Sequence, residues 1–505
     1  MEKEISALFR ARNTLLWIVS REESRVEGLL AKAAATARSR ILFWDCAAGM
    51  TELSGRVVEN IQDPQAALGY IAASKERIVY VMRDLHKWLG DPVTLRMVKS
   101  LAKDLQASPP KEARSLVLLT TSGEVPAELP NATVIDWPLP SRAELGVLFD
   151  DVMSSVEDSI RDASLLVRDQ AIDAAIGLLQ EEAANCYAKS IVESRRVVPA
   201  KVVEEKKRVI AREKLLEWFD PDPRGLDGVG GLDYLKSWLS TRVKAFSPEA
   251  REFGLPTPKG ILLVGVPGCG KSLTAKCVSS AWGMPLLRLD FGGLKDKYLG
   301  ESEKNIRKAF GIAEAVSPCV VWIDEIEKAL SGAQGEGGST DTTSTDALGV
   351  LLNWMQERKG EVFVIATAND VSALPPELLR KGRFDELFFV DLPTTVERKI
   401  ICEVTLKQYD RTSDGIDLDD VARATDSFSG AEIAAMVPEA LFTAFEDNMR
   451  TISTADLLAA AATVVPLSKT ASEKIAKLKA WAKGRARPTS LPEVEAKPGF
   501  RQIDL

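Results

Sequence analysis

One stretch constrains this chain more than any other: Gly265-Val-Pro-Gly-Cys-Gly-Lys-Ser272, set between the apolar run Ile261-Leu-Leu-Val264 and a helical pattern. A G-x-x-x-x-G-K-[ST] segment between strand and helix is a phosphate loop. Its glycines let successive backbone N–H groups converge on phosphate oxygens, and the following helix adds the positive end of its dipole. Lys271 then reaches the β- and γ-phosphates as a point charge, and Ser272 ligates Mg2+. Pro267, Gly268, Cys269, Gly270 and Leu273 complete the cradle. The fold around it must be an α/β layer structure built on a parallel sheet.

A second apolar run, Cys319-Val-Val-Trp-Ile323, ends in Asp324-Glu325. Paired acids at the carboxyl edge of a parallel sheet lie where such sheets bind ligands. Asp324 is expected to hold the metal and Glu325 to polarise the attacking water, which predicts hydrolysis of a nucleoside triphosphate as well as binding. A third run, Val362-Phe-Val-Ile-Ala-Thr-Ala368, ends at Asn369, whose amide can reach both the γ-phosphate and that water; an ordinary strand-end turn is the alternative. Arg380 and Arg383 precede a bend and cannot both clamp the chain's own phosphates without folding back. Supplied by a neighbouring subunit, they would make hydrolysis depend on an assembled ring.

Together these motifs resemble the AAA+ ring ATPases, in the branch with a second region of homology, over about residues 221–465. The resemblance implies ATP as the nucleotide and a homo-oligomeric, hexameric ring. It places Val229 and Gly230, within Gly228-Val-Gly-Gly231, beside adenine, and it brings Gly430 and Ala431, within Ser429-Gly-Ala-Glu-Ile433, to the nucleotide from a helical lid that carries no sensing arginine at this turn. It also makes Lys297, Tyr298 and Leu299 a pore loop, with Tyr298 gripping extended polypeptide; a Tyr packed between helices is the alternative. The Gly/Ser/Thr-rich segment 331–345 is either a second pore loop or a surface loop.

The expected fold is α/β: a P-loop AAA+ module, parallel sheet plus helical lid, preceded by a degenerate α/β ATPase-like domain. Its parts are a domain without a phosphate loop (1–150), a helical connector (151–220), the large ATPase subdomain (221–393), the lid (394–465) and a tail with a short helix (466–505). The first part has strand-type runs at Leu15–Val19, Ile41–Asp45, Ile78–Met82, Leu116–Thr120 and Val134–Trp137. After the first of these comes Ser20-Arg-Glu-Glu-Ser-Arg25, with acids in place of glycines. Asp84 ends the third run in the manner of a metal-binding Asp, with Leu85 where a catalytic Glu belongs. In the tail, Ser472–Gly484 has helical spacing with Ile475, Leu478 and Trp481 on one face, and an irregular segment is expected beyond Arg485. The whole arrangement is similar to the AAA-domain proteins first described as hypothetical chloroplast reading frames, and to their bacterial relatives.

Composition removes other functions. A net charge of −8 and the lack of an aromatic-plus-basic module disfavour nucleic acid as a partner. One His, His86, and six scattered Cys without a C-x-x-C pair leave no zinc-protease or zinc-knuckle site. No apolar run approaches membrane-spanning length, and acids near Met1 do not suit a signal peptide, so a cytoplasmic or plastid-stromal protein is expected. The sequence-level function is a ring motor that hydrolyses ATP to remodel or translocate a protein substrate. The alternatives are a nucleotide-gated scaffold signalling through the first half, or a nucleic-acid-associated motor.

Overall fold

A computed structural model describes residues 1–490 apart from 122, 214, 221, 291–300, 331–341, 359, 373 and 381. Lys297, Tyr298 and Leu299, and most of the 331–345 segment, lie outside the described residues. The chain forms two compact units that divide after Pro199.

In the first unit, β1 (Leu15–Val19), β2 (Arg40–Asp45), β5 (Ile78–Arg83), β6 (Ser115–Thr120) and β7 (Thr133–Asp136) are the five expected strands. They run parallel and are joined at one edge by β3 (Gly49–Thr51) and β4 (Val57–Glu59), which pair antiparallel. Those two strands were not legible, being too short to show any period. Apolar layers cover both faces of the sheet, which is why its central strands read as unbroken Val/Leu/Ile runs. Four helices, Arg142–Ser154, Asp158–Leu165, Arg168–Ala175 and Gln180–Ser194, complete this unit.

The helix Pro199–Glu213 leads into the second unit. Its sheet comprises β8 (Glu217–Phe219), β9 (Gly260–Gly265), β10 (Leu286–Leu289), β11 (Cys319–Ile323), β12 (Val362–Ala368), β13 (Glu386–Val390) and β14 (Arg487–Pro488). Across it the parallel core stands in the order β13-β9-β12-β11-β10. The first unit's core stands as β7-β1-β6-β5-β2, which is the same permutation of the same five chain-order positions. The two sheets therefore share one topology.

That correspondence corrects the reading of Asp84. The residue that turns the chain out of β5 in left-handed backbone is Asp84 (φ 53°), and the one that does so after β11 is Glu325 (φ 46°). Asp84 thus matches Glu325, and the residue standing where Asp324 belongs is Arg83. Its guanidinium is bound by Glu27 at 2.9 Å, Asp45 at 2.8 Å and Glu23 at 3.2 Å. The site's usual charge pattern is inverted: the chain supplies the cation, and acids surround it.

In the second unit a lid of four helices, Thr395–Gln408, Leu418–Ala424, Gly430–Glu446 and Thr454–Thr463, has its own apolar core. The chain then returns to the large subdomain through the helix Ser472–Ala482, whose Ile475 and Leu478 are buried in that subdomain's two core layers, with Trp481 packed beside them. Within the stretch expected to be irregular beyond Arg485, Arg487–Pro488 form β14, parallel to β13 through Phe388↔Arg487 and Phe389↔Pro488, while residues 491–505 lie outside the described residues. Two residues at a sheet edge carry no pattern of their own; β13 selects them.

Candidate nucleotide site

The loops at the carboxyl ends of β9, β11 and β12 and the first turns of the lid enclose a cavity of about 600 Å³, within the range of small-molecule sites. At its floor, Gly268 and Gly270 adopt positive φ (79° and 88°), a backbone that residues with a Cβ avoid. This curls the loop back before the helix Lys271–Trp282 begins, so that the positive helix end borders the cavity. Pro267, Cys269, Ser272 and Leu273 line it too.

Lys271 is buried, and its Nζ donates to the carbonyls of Gly265 (2.9 Å) and Val266 (2.8 Å). Burial pushes its ammonium down to about 8. The neutral carbonyls hold the side chain in place, and an anionic phosphate beside it would favour the charged form and shift the ammonium back up.

Ser272 Oγ donates to Asp324 Oδ1 at 3.0 Å, which joins the loop to the end of β11. Hard oxygen donors from a hydroxyl and a carboxylate suit Mg2+, so these two residues fit the ion and would hold it. When bound, it supplies charge neutralisation of the phosphates. Glu325 follows; its Oε1 accepts from Asn369 Nδ2 at 2.9 Å, and its other oxygen pairs with Lys328. The backbone N–H of Asn369 donates to Glu327 Oε1 at 2.9 Å. Burial raises the Glu327 carboxyl above the usual range.

The lid closes the other side. Ser429 caps the helix Gly430–Glu446 reciprocally with Glu432, and the Ala431 N–H donates to Gly268 O at 2.8 Å. Gly430 and Ala431 line the cavity with Val229 and Gly230. Gly230 runs so close to the lid that a Cβ there would lie 2.5 Å from Ile401 Cγ1. Nearby, Glu397 Oε1 accepts from Leu232 N–H (2.9 Å) and Ser490 Oγ (2.5 Å).

Every expected nucleotide and metal residue thus borders one cavity, with Glu325 and Asn369. Arg380 and Arg383 do not. Their turn is pinned to the opposite end of the sheet: Asp385 Oδ2 accepts from Lys259 N–H (2.6 Å) and Gly260 N–H (2.9 Å), and Lys259 Nζ donates to Gly382 O (2.7 Å). Gly260 starts β9 and Gly265 ends it, so the turn begins about 17–20 Å below the phosphate loop at ~3.3 Å per residue. Arg380 is exposed there, and Arg383 donates to Glu377 O.

Among the cavity residues that sequence reasoning missed are Arg224, Thr367, Glu397 and Gln408. Thr367 had a signal. It stands two positions before Asn369, on the same side of an extended chain. Arg224, Glu397 and Gln408 come from distant segments and had none.

Residues 261–392 match the family described as ATPase family associated with various cellular activities (AAA), and residues 415–459 match the AAA+ lid domain. Residues 1–136 match the N-terminal domain of SpoVK-like AAA ATPases. The uncharacterized AAA domain-containing protein ycf46 of Guillardia theta is 36% identical over 95% of this chain and 94% of its own length. The protein of the same name from Pyropia yezoensis is 36% identical over 97% of this chain and 99% of its own. The chain belongs to the ycf46 family of AAA-domain proteins. A proteasome-activating nucleotidase of Methanocella arvoryzae is 31% identical over 55% of this chain and 70% of its own length, a match to part of the ycf46-type architecture. As an AAA ATPase, this ycf46 relative is a nucleotide-binding ATP hydrolase, of a family whose members commonly form rings. Among the described residues, no helix is long and apolar enough to cross a membrane.

Proposed function

We propose that this chain is a hexameric ring motor, working in cytoplasm or plastid stroma, that spends ATP on remodelling or translocating a protein substrate. One observation carries the reading: Lys271, Ser272, Asp324, Glu325 and Asn369 meet at one cavity, while Arg380 and Arg383 stand a strand's length away at the sheet's other end. A site built this way is complete in its cradle and acids, and the guanidinium that lines it, Arg224, is already paired with Asp222 at 2.6 Å. A neighbouring copy presenting its Arg380 and Arg383 would complete it.

In the cycle, Lys271 binds the β- and γ-phosphates, and Ser272 with Asp324 would hold Mg2+. Glu325 accepts a hydrogen bond from the attacking water and draws its proton away, while Asn369 orients that carboxylate. Val229, Gly230, Gly430 and Ala431 enclose the base and ribose. Coupling of nucleotide state to lid angle would come from the Ala431–Gly268 bond. The first unit, with Arg83 filling its corresponding position, takes no nucleotide and serves as a docking or regulatory module.

The protein substrate rests on the pore-loop resemblance at Lys297, Tyr298 and Leu299, and on the relative whose name joins a nucleotidase to proteasome activation. The test is ATPase rate against added unfolded polypeptide and against single-stranded DNA. Stimulation by polypeptide, abolished in Tyr298→Ala, is expected. Stimulation by DNA alone would identify a nucleic-acid motor, and indifference to both a nucleotide-gated scaffold.

A further inference from the structure

We infer that Thr367 is a positioning residue whose single hydroxyl sets Asp324 and Glu325 together. The inference rests on the ATPase reading above.

Thr367 is the penultimate residue of β12 and is 1% exposed. Its Oγ1 donates to Asp324 Oδ1 at 2.7 Å and accepts from the Glu325 backbone N–H at 3.0 Å. A hydroxyl can do both from one atom; a carbonyl or an ammonium cannot. Two consecutive acids with different tasks are thereby fixed to one point on the neighbouring strand.

Glu325 has particular need of such a hold. Its φ of 46° lies in a region that residues with a Cβ rarely adopt, and such a conformation persists where the surroundings over-determine it. Two of its bonds reach across to β12 and the residue after it: the N–H to Thr367, and the carboxylate to Asn369. Asp324 is held through one oxygen by Ser272 and Thr367 together.

The first unit shows the contrast. Asp84 makes the same left-handed turn, but its N–H donates to the main-chain carbonyl of Leu119 at 2.9 Å. A carbonyl has no proton to offer the preceding residue, and the preceding residue there is Arg83, which needs none. Where the chain retains an acid at that place, the acceptor is a hydroxyl. Displacement of the Asp324 carboxylate is therefore transmitted through Thr367 to the backbone of Glu325.

The test uses the full chain as Thr367→Ser, Thr367→Ala and Thr367→Val. A fluorescent ATP analogue is titrated with and without Mg2+, and ATP turnover is measured separately. The Ser/Ala pair isolates the hydroxyl even where the Val variant fails to fold. Thr367→Ala is expected to leave Mg2+-free nucleotide affinity within about twofold, and to lose about tenfold both in the gain that Mg2+ confers and in kcat; neighbours of metal ligands cost about 10–100-fold when removed. Thr367→Ser is expected to recover both to within about threefold. Equal behaviour of the Ser and Ala variants, or Mg2+ dependence unchanged in Thr367→Ala, overturns the inference. Loss of Mg2+-dependent affinity in Thr367→Ala, in a chain whose wild type hydrolyses nothing, supports the role of Thr367 and overturns the motor reading instead.

Discussion

The side-chain amide of Asn369 holds the Glu325 carboxylate at 2.9 Å, while its own backbone N–H is held by Glu327 at the same distance. Glu325→Gln keeps the shape of this contact and loses the base. It is expected to bind ATP with near-normal affinity, to accumulate as an assembled ring, and to turn over about a hundredfold more slowly or worse. Nucleotide retention and phosphate release, measured on one preparation, check this.

Lys271 has no competing acid in contact with its Nζ among the bonds described; two carbonyls hold it. Lys271→Ala should therefore cost mainly phosphate binding. A fall in ATP affinity of about tenfold or more is expected, since bonds to charged groups contribute about 1.5–3 kcal/mol. Equilibrium titration with a labelled nucleotide reads it.

The separation of Arg383 from its own phosphate loop makes a mixing experiment decisive. Arg383→Ala alone is expected to lower kcat about a thousandfold, as for arginines that act across an interface. Mixed with Glu325→Gln subunits, it should regain turnover that neither variant has alone, because an intact cradle then meets an intact arginine. No recovery at any ratio, or full-rate hydrolysis by a dilute monomer, counts against action between subunits.

In the first unit Arg83→Met would strand Glu27 and Asp45, which now share its charge. Breaking a largely buried pair from one side costs about 3 kcal/mol. An earlier unfolding transition for this unit is expected in calorimetry. Wild-type chain should bind one nucleotide per copy at saturation; a stoichiometry of two, with one site whose affinity is unchanged in Lys271→Ala, would refute the closed reading of the first unit.

In the lid, Asp456 accepts from Arg450 at 2.6 and 2.8 Å and from Ser453 N–H and Oγ, which holds its carboxyl far below the ordinary range. A carboxyl depressed by folding stabilises above its unfolded pKa, about 4, and loses that contribution as pH falls further. Wild type should melt above Asp456→Asn at pH 7. The gap should narrow progressively below about pH 4.

The nucleotide site was legible because phosphate chemistry leaves few choices of residue and spacing: Gly265–Ser272, Asp324-Glu325 and Asn369 could be placed before any fold was seen. The buried strands were legible for a different reason, since both faces of each sheet are covered and the runs are unbroken. Asp84 was misaligned by one position because sequence shows acids but not backbone hand; the left-handed turn supplied the register. Thr367 passed unnoticed because its role depends on a neighbouring strand. The β14 segment was read as irregular because β13, with which it pairs, lies about a hundred residues earlier in the chain.

The return of the chain after the lid has a mechanical consequence. The lid leaves the large subdomain beyond Pro393, and the following helix is rooted again through Ile475 and Leu478. The lid is therefore joined to the large subdomain at both of its chain ends, like a gate on paired hinges. Any swing of the lid over the nucleotide cleft would have to bend both joints together.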